Sequence, residues 1–174
     1  MLQSQLEVLK NTLGCVLSNK EVDKEIYRHW YAYFSNCKPF HQFREKYKRR
    51  GNAVGCLVYE ARGEEKIFFA DEALIHMFGC QNYMEFYQYV GGSFKTMVHP
   101  EDIACVEQEI GEQILRSEDS IDRVTYRIVR KDGAVRVVDD IVRKVFTENG
   151  SSVFYVCMVD VTDSGDKHGN PPRE

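Results

Sequence analysis

The chain has 174 residues, which is enough for one domain of ordinary size and an appendage. Its 23 basic and 27 acidic residues leave a formal net charge of −4. This balance argues against a nucleic-acid-binding protein, because phosphate contacts require a surplus of Lys and Arg. The sequence contains no apolar run near the ~20 residues that a membrane-spanning helix needs. The first residues also lack the layout of a signal peptide, so we expect a cytoplasmic protein.

The cysteines are spread along the chain, and none lies within three residues of another, so no zinc-type Cys-x-x-Cys spacing exists. Most of their neighbours are apolar, as in residues 55–59 and 155–159. We expect buried, reduced thiols that pack as small hydrophobic side chains, and no disulfide framework. The six cysteines are Cys15, Cys37, Cys56, Cys80, Cys105 and Cys157.

Residues 1–50 differ in pattern from the rest of the chain and predict a helical segment. Apolar residues recur near its start at spacings of four and three, which places them on one face of a helix. The stripe fits an amphipathic helix that lies on the domain, and it also fits a short coiled coil. The segment is therefore predicted to be a cap or a dimerisation segment. The stripe consists of Leu2, Leu6, Leu9, Leu13 and Val16.

Two further helices are predicted before residue 51. One carries Trp30 and Phe34, and the other has three aromatic residues over 40–47 and ends in a basic run before Gly51. Basic side chains suit the negative end of a helix dipole, so we interpret this run as a solvated helix end. Aromatic residues lie on more than one helix face, and some should pack on the outer face of a sheet or on a second subunit.

The pattern then changes to that of strands. Segments 54–60 and 66–70 are separated by a short polar turn and predict a hairpin. A short helix is predicted next, over 71–78. Asp71 suits the N-cap of this helix, and Gly79 suits its end.

Residues 82–98 are rich in aromatic side chains and predict short helical turns and loop. A longer helix is predicted to open at Pro100, because proline loses no hydrogen bond at the first helical position. The acidic pair 101–102 suits the positive end of that helix. Its apolar stripe is Ile103, Val106, Ile110 and Ile114.

Strands make up the last part of the pattern. The first alternates apolar and polar side chains over 123–128, which predicts one buried face and one wetter face. Asp132-Gly133 predicts a tight hairpin in which both of these residues have positive φ. The next strand, over 134–147, is predicted to end at a second turn signal at 149–150.

Residues 152–162 are apolar on both faces, as expected of a central strand. The order of elements is then two strands, several helices and three strands. This order predicts an α+β fold in which an antiparallel sheet is packed by helices. We place this domain at residues 51–163. The polar tail of residues 164–174 is expected to be disordered.

Signature-like segments occur in order along this domain: Phe-Phe-Ala-Asp-Glu-Ala-Leu (68–74), Val-His-Pro-Glu-Asp (98–102), Tyr-Arg-Ile-Val-Arg-Lys-Asp-Gly (126–133) and Val-Asp-Val-Thr-Asp (159–163). Together they resemble the segments of PAS domains, in the subtype found in bacterial sensor kinases and diguanylate cyclases. The resemblance covers residues 51–163. It implies a five-stranded antiparallel sheet with helices on one face, preceded here by the N-terminal helical segment.

A PAS-like fold implies a pocket between the sheet and the helices. The residues that we expect on its walls are aromatic or apolar. The alternative interpretation is that they form plain core without a ligand. They are Phe78, Phe86, Phe94, Met97, Tyr126, Ile128, Val156 and Met158.

In the family that the chain resembles, the end of the last strand couples the sheet to an output helix. Asp160 and Thr162 occupy that segment here and are predicted to couple the signal through hydrogen bonds. The alternative is that they form a polar stop to a strand. The resemblance implies a regulatory module that binds a small-molecule ligand, or relays a signal to an effector domain or partner protein, and that forms a homodimer.

Neither flavin nor haem is expected, and the cofactor is otherwise left open. Cys80 is not in the Asn-Cys-Arg motif of the flavin-binding light-sensing relatives. His76 is expected to be satisfied or exposed, and His99 to act as a cap, so neither is predicted to ligate haem. Asp139 and Asp140 are adjacent on a strand and should point to opposite faces, so they predict no metal site.

The sequence contains no Gly-rich phosphate loop, no Gly-x-Ser-x-Gly elbow and no His-Glu-x-x-His motif. We therefore predict a sensory module that is not an enzyme and that binds neither nucleic acid nor membrane. A ligand-free interaction or dimerisation scaffold is the alternative. An enzyme with an unrecognised site is the third hypothesis.

Overall fold

The computed structural model describes residues 28, 30–115, 121–146 and 152–163. The leucine-rich stripe of residues 2–16, the turn signal at 149–150 and the tail of residues 164–174 lie outside the described residues. The interpretations given to them remain predictions, as do the proposed boundaries of the N-terminal segment and the domain.

The elements of the described chain follow the predicted order. Helix α1 covers residues 30–36. The elements after it are α2 (Lys38–Lys48), β1 (Val54–Glu60), β2 (Ile67–Ala70), α3 (Glu72–Met77), α4 (Tyr83–Tyr89), a 3₁₀ turn (Lys95–Met97), α5 (Ile103–Leu115), β3 (Ile121–Val129), β4 (Val135–Phe146) and β5 (Ser152–Asp160).

The strands form one five-stranded sheet in the order β2-β1-β5-β4-β3, and every neighbouring pair is antiparallel. The sheet and its helices confirm the predicted α+β fold. Strand β5 lies at the centre, between β1 and β4, and all of its residues except Asp160 are buried. Its central place explains why its sequence is apolar on both faces.

The two faces of the sheet carry separate hydrophobic clusters. We call the face packed by α3, α4 and α5 the inner face, and the face packed by α1 and α2 the outer face. Because side chains alternate along a strand, β4 contributes Val138 and Val142 to the inner cluster and Ile141 to the outer cluster. The sheet is therefore covered on both sides by the chain's own helices.

Helix α3 is tied closely to β1 on the inner face. The Asp71 carboxylate accepts hydrogen bonds from the N–H groups of Leu74 and Cys56, each at 2.9 Å, so it caps the helix and joins it to the strand. A Cβ atom at Gly55 would lie 2.7 Å from Cα and Cβ of Leu74. Glycine at this position is what lets the helix approach the strand. Gly79 ends the helix region with φ of +76°, as predicted.

Aromatic side chains of α1 and α2 cover the outer face. The ring of Trp30 lies 5.3 Å from that of Tyr155 on β5, and the ring of Phe34 lies 5.2 Å from Phe40 and 5.6 Å from Tyr155, measured between centroids. Tyr47, near the end of α2, belongs to the same cluster. The prediction that some N-terminal aromatic residues pack on the outer sheet face is confirmed.

The turn between β3 and β4 differs from the predicted hairpin. Gly133 has φ of +84°, whereas Asp132 does not have positive φ. The Gly133 N–H donates to the carbonyl of Arg130 at 2.9 Å, and the Asp132 carboxylate accepts from the N–H of Ala134 at 3.0 Å. The loop between the bonded residues Arg130 and Ala134 has three residues instead of the two of a tight hairpin. An ordinary turn can therefore precede Gly133, and only this glycine needs positive φ.

Helix α5 begins at Ile103, three residues later than predicted. Residues 99–102 form a turn, in which the Asp102 N–H donates to the His99 carbonyl at 2.8 Å. The reason is tertiary. The His99 N–H donates to the Arg127 carbonyl at 2.7 Å, and the Asp102 carboxylate accepts from the Arg127 N–H at 2.8 Å, so this segment pairs with edge strand β3.

The prediction of buried thiols is correct for Cys56, Cys80 and Cys157, which are free and buried. It is wrong for Cys105, which is exposed on α5, and for Cys37, which is half-buried beside α2. An amphipathic helix presents one side to solvent, and the apolar neighbours of Cys105 in the sequence do not reveal which side it occupies.

Candidate functional site

The predicted pocket residues all lie in the inner cluster, and each is at most 3% exposed. They come from the end of α3, from α4, from the segment around the 3₁₀ turn, and from β3 and β5, so only the fold brings them together. They are Phe78, Phe86, Phe94, Met97, Tyr126, Ile128, Val156 and Met158. Their role as the walls of a ligand pocket remains a prediction.

Aromatic rings contact one another across this interior. Phe94 stacks on Tyr59 with ring centroids 4.3 Å apart and an interplanar angle of 4°. Phe94 also meets Tyr126 edge to face at 5.9 Å, and Phe78 meets Phe86 in the same way at 5.3 Å. Offset and edge-to-face pairs of this kind stabilise an interior beyond the burial of their area.

A carboxyl group lies within this apolar surface. Asp140 on β4 is 1% exposed and sits between Val138 and Val142 on the inner face. The Tyr126 hydroxyl donates to its Oδ2 atom at 2.7 Å, whereas Oδ1 has no hydrogen-bond partner among the described residues. Burial raises the pKa of Asp140 well above its ordinary value, although the Tyr126 hydrogen bond opposes the shift and the Asp139 charge adds to it. Burial at this position therefore favours the neutral acid over the carboxylate.

A second carboxyl group approaches the same interior from the turn between β1 and β2. Glu65 has φ of +52° and is the one non-glycine residue with positive φ in the described chain. Its Oε2 atom is buried without a hydrogen-bond partner there, and burial raises its pKa. The pKa of Tyr59 is raised well above its ordinary value, first by burial and then by the charges of Glu65 and Asp140. The Tyr59 hydroxyl is thus within electrostatic range of both carboxyl groups.

Asp140, Glu65 and Tyr59 were not among the predicted site residues. A signal for Asp140 was available, because strand alternation puts it on the same face as Val138 and Val142. An acid among apolar residues on one face is an unusual residue for a core. Glu65 gave no such signal, because it lies in a short polar turn where an acidic residue is expected.

Asp139, the neighbour of Asp140, points to the outer face and has a full set of partners. Its Oδ1 atom accepts from Arg123 Nε at 2.9 Å and from the Thr125 hydroxyl at 3.3 Å. Its Oδ2 atom accepts from the Tyr47 hydroxyl at 3.2 Å and pairs with Arg123 Nη2. Arg123 Nη2 also donates to the Tyr47 hydroxyl at 2.8 Å. This network joins α2 to strands β3 and β4.

The predicted coupling residues Asp160 and Thr162 form a compact junction at the end of β5. The Asp160 Oδ1 atom accepts from the Thr162 N–H at 2.9 Å and from its hydroxyl at 2.6 Å. The Thr162 hydroxyl oxygen in turn accepts from the Val137 N–H on β4 at 2.9 Å. The Asn52 side-chain amide donates to the Asp160 carbonyl at 3.0 Å. The segment that enters β1 and the segment that leaves β5 therefore meet here.

Of the residues considered for cofactors, Cys80 belongs to the inner cluster, whereas His76 and His99 do not. His76 is exposed on α3, and the His99 ring accepts a hydrogen bond from the Glu101 N–H at 3.3 Å in the turn before α5. Cys80 is buried, with its thiol 3.9 Å from the carbonyl of Phe78, and burial raises its pKa. A raised pKa disfavours the reactive thiolate.

The described ranges contain neither a cluster of metal ligands nor a membrane-spanning helix. No group of three or more His, Cys, Asp or Glu side chains there could hold a metal ion. No helix within those ranges has the length and apolar character needed to cross a membrane.

Comparison with known proteins identifies the architecture. The family model described as PAS fold matches residues 67–159. Among solved structures, the LOV protein of Rhodobacter sphaeroides has a TM-score of 0.51 at 14% identity, over 64% of this chain and 61% of that chain. The N-terminal domain of a diguanylate cyclase with PAS/PAC sensor from Marinobacter aquaeolei has a TM-score of 0.47 at 19% identity, over 63% of this chain and 95% of that chain.

A third similar structure is a sensory box histidine kinase/response regulator from Burkholderia thailandensis, with a TM-score of 0.49 at 17% identity, over 69% of this chain and 86% of that chain. At these identities the likeness concerns the fold. No curated protein matches the chain.

Proposed function

The chain belongs to the PAS fold family, and from this premise we propose that it is a sensory module whose interior receives a small-molecule ligand. PAS domains are sensors in signal transduction, and the chain has the fold of such a domain. We further propose that the module is not an enzyme. In this proposal the sheet relays the change produced by the ligand to an effector domain or a partner protein.

One observation carries the proposal: strands β4 and β5, which contribute side chains to the inner cluster, also form the Asp160–Thr162 junction. Val138 is fully buried in the inner cluster and is the direct partner of Asp160 across the β4–β5 pair. Val156 and Met158, two of the predicted pocket residues, precede Asp160 on the same strand. A change in the packing of the inner face therefore acts on residues adjacent to the Asp160–Thr162 junction.

The relay would be a shift between two packings of the inner helices on the sheet. A ligand that binds one packing more tightly than the other changes their populations by the difference in its two affinities. The junction follows because the Val137 N–H and the Thr162 hydroxyl share a hydrogen bond across β4 and the end of β5. Through Asn52 the same change reaches the segment that follows α2.

The test begins with the purified full chain. Denatured protein would be extracted and examined by mass spectrometry for a co-purified small molecule, and the native protein would be screened by thermal shift against a metabolite panel. We expect a stabilising compound, and with it a change in amide hydrogen exchange at Val137, Val161 and Thr162. A blank extract together with no thermal shift would count against ligand sensing. Binding without a change at the junction would count against the relay.

A ligand-free interaction scaffold remains the second candidate, and a specific observation favours it. The stacked and edge-to-face contacts of Tyr59, Phe94 and Tyr126 fill part of the interior with side chains. In that case the interior is core, and the partner binds a surface. The extraction and thermal-shift experiment separates the two candidates, because a scaffold would yield no interior ligand.

Homodimerisation through the N-terminal segment also remains a proposal. Light scattering of the full chain would be compared with that of a chain beginning at residue 28, which retains the aromatic cover of the outer face. A mass that falls from dimer to monomer would support a dimer held by residues 1–27, and monomers in both would contradict it. The cytoplasm is the proposed compartment, since the spacing of the cysteines suits a chain without disulfides.

A further inference from the structure

Asp140 occupies a position where the fold gives it no reason to be acidic. Its inner-face neighbours on β4 are Val138 and Val142, and its partners across the sheet are Val124 on β3 and Met158 on β5. All four belong to the inner cluster. An apolar residue at this position would complete the core without burying a polar group.

The hydrogen bonds of Asp140 are incomplete. Its Oδ2 atom is occupied by the Tyr126 hydroxyl at 2.7 Å, and its Oδ1 atom has no partner in the described part of the chain. A buried acceptor or donor without a partner costs about 1–3 kcal/mol, so such groups are rare in native structures and require an explanation. The groups that shift the pKa of Asp140 besides its burial are Tyr126 and Asp139, and neither is a cation.

The surroundings of Asp140 are rich in acceptors and aromatic faces. From Asp140, contacts run through Tyr126 and Phe94 to Tyr59, and the Glu65 carbonyl accepts from the Phe94 N–H at 3.0 Å. At the far end of these contacts, Glu65 has one carboxyl oxygen without a partner among the described residues, although the Lys95 N–H and the Lys95 charge act on the same carboxyl group. When Asp140 is ionised, the chemical complement of this set is a group with several donors and no acceptor that is also stabilised by aromatic faces. An ammonium group meets both requirements.

We propose that Asp140, together with Tyr126, is the polar anchor of an interior site for a small organic amine whose apolar part packs among the inner-face side chains. This inference rests on the proposed ligand-sensing function and specifies its ligand class. The protonated amine donates to Asp140 Oδ1, and its charge replaces the missing counter-ion of the carboxylate. Binding to the neutral acid therefore releases the Asp140 proton to solvent.

The test uses calorimetric titration of the purified full chain with ethylamine, n-hexylamine and 2-phenylethylamine, each beside the alcohol of the same skeleton. We expect at least one amine to bind more tightly than its alcohol, because the alcohol lacks the charge. Asp140→Asn keeps the shape of the side chain and removes the charge. A charged hydrogen bond contributes enough that this change should weaken amine binding by about tenfold or more and leave alcohol binding nearly unchanged.

Asp139→Asn is the matched control, because it makes the same substitution one residue away on the opposite face. Amine affinity should stay within about twofold of the unmodified chain, since an interaction on the other face of the sheet does not reach the ligand. Circular dichroism of each variant establishes that it is folded.

Distinct results would overturn the inference and the proposed function. Equal amine affinity in the unmodified chain and Asp140→Asn overturns the anchor role while ligand sensing stands. No binding by any of the three amines overturns the amine class, and a different compound found by extraction would then keep the proposed function. An ordered water on Asp140 Oδ1, with no amine binding and a blank extract, overturns both.

Discussion

The two faces of the sheet carry neighbouring aspartates in opposite situations. On the outer face, Asp139 accepts hydrogen bonds from Arg123, Thr125 and Tyr47, and the network ties α2 to the sheet. On the inner face, Asp140 accepts one hydrogen bond from Tyr126 and keeps one oxygen atom without a partner among the described residues. The two side chains are one residue apart and differ only in the direction in which the strand points them.

This difference separates a structural carboxylate from a candidate functional one. A half-exposed cation and two hydroxyl groups satisfy the buried carboxylate of the outer face, and such a network stabilises the element that it joins to the sheet. A carboxyl group deep in an apolar cluster loses its solvation and gains little in return. The outer face thus holds helices α1 and α2, whereas the inner face has a carboxyl oxygen that no described residue satisfies and that we propose a ligand satisfies.

The largest expected effect comes from removing a contact between helix α1 and the outer face of the sheet. Phe34 is fully buried between Phe40 and Tyr155, so Phe34→Ala should lower the free energy of unfolding by about 3–5 kcal/mol through lost contacts and a cavity. Urea denaturation measures the change. Phe146→Ala makes the same substitution at a residue that is 38% exposed and should cost much less. If Phe34→Ala lowered the free energy of unfolding as little as Phe146→Ala, helix α1 would not stabilise the sheet.

The same substitution at the two aspartates should differ in its effect. Asp139→Asn removes the charge that Arg123 and Tyr47 contact, and we expect a loss of about 2 kcal/mol in the free energy of unfolding. Burial favours the neutral form of Asp140, so we expect Asp140→Asn to be no less stable than the unmodified chain at pH 7. Denaturation of both variants at pH 7 tests the contrast, and a similar loss in both would remove the distinction between the faces.

The stability of the chain should depend on pH through Asp140. In the unfolded chain this group ionises near its ordinary pKa of 3.8, but burial keeps it protonated in the folded chain well above that value. Between the unfolded and the folded pKa the unfolded state therefore binds fewer protons, and the free energy of unfolding falls by up to about 1.4 kcal/mol per pH unit as the pH rises. Asp140→Asn should lack this decline when both proteins are denatured at a series of pH values.

Asp102 supplies a control of opposite sign for that series. Burial alone would raise the pKa of Asp102, but hydrogen bonds from the Arg127 side chain and N–H hold it below its ordinary value. Its contribution is fully present above its ordinary pKa of 3.8 and is lost as the pH falls through the folded value. The disadvantage of Asp102→Asn should therefore shrink in acid. A parallel pH trend for both variants would contradict the assignment of Asp140 as a neutral acid.

The smallest expected effect concerns the junction where the segments flanking the sheet meet. Thr162→Val removes the acceptor of the Val137 N–H and one donor to Asp160, and because the site is partly exposed we expect a loss of about 0.5 kcal/mol. Amide exchange at Val137 should rise by about twofold, whereas Thr162→Ser, which retains the hydroxyl, should leave it unchanged. Unchanged exchange in Thr162→Val would remove the support for Thr162 as a coupling residue.

Local pattern was sufficient for most elements of the described chain. Alternation predicted β3, the apolar run predicted the central place of β5, and Asp71 and Gly79 marked the two ends of α3. These signals are local because the two faces of a strand alternate from one residue to the next, and because the two ends of a helix favour particular residue types. Alternation also placed Tyr126, Ile128, Val156 and Met158 on one face of the sheet, whereas the fold brought the helix and loop residues of the predicted pocket to them.

Tertiary contacts decided the remaining points. Helix α5 starts late because Asp102 is drawn to Arg127 on β3, a residue that is distant in sequence. Composition and periodicity determined that this chain folds as a sheet with helices and that its N-terminal aromatic residues need a surface to cover. Only the folded chain decided that Asp139 accepts hydrogen bonds from Arg123 and Tyr47, while Asp140 accepts one from Tyr126 and has no other hydrogen-bond partner within the described ranges. The hydrogen-bond partner of a buried side chain often comes from a segment that is distant in sequence, and no local pattern indicates whether the fold brings that partner within reach.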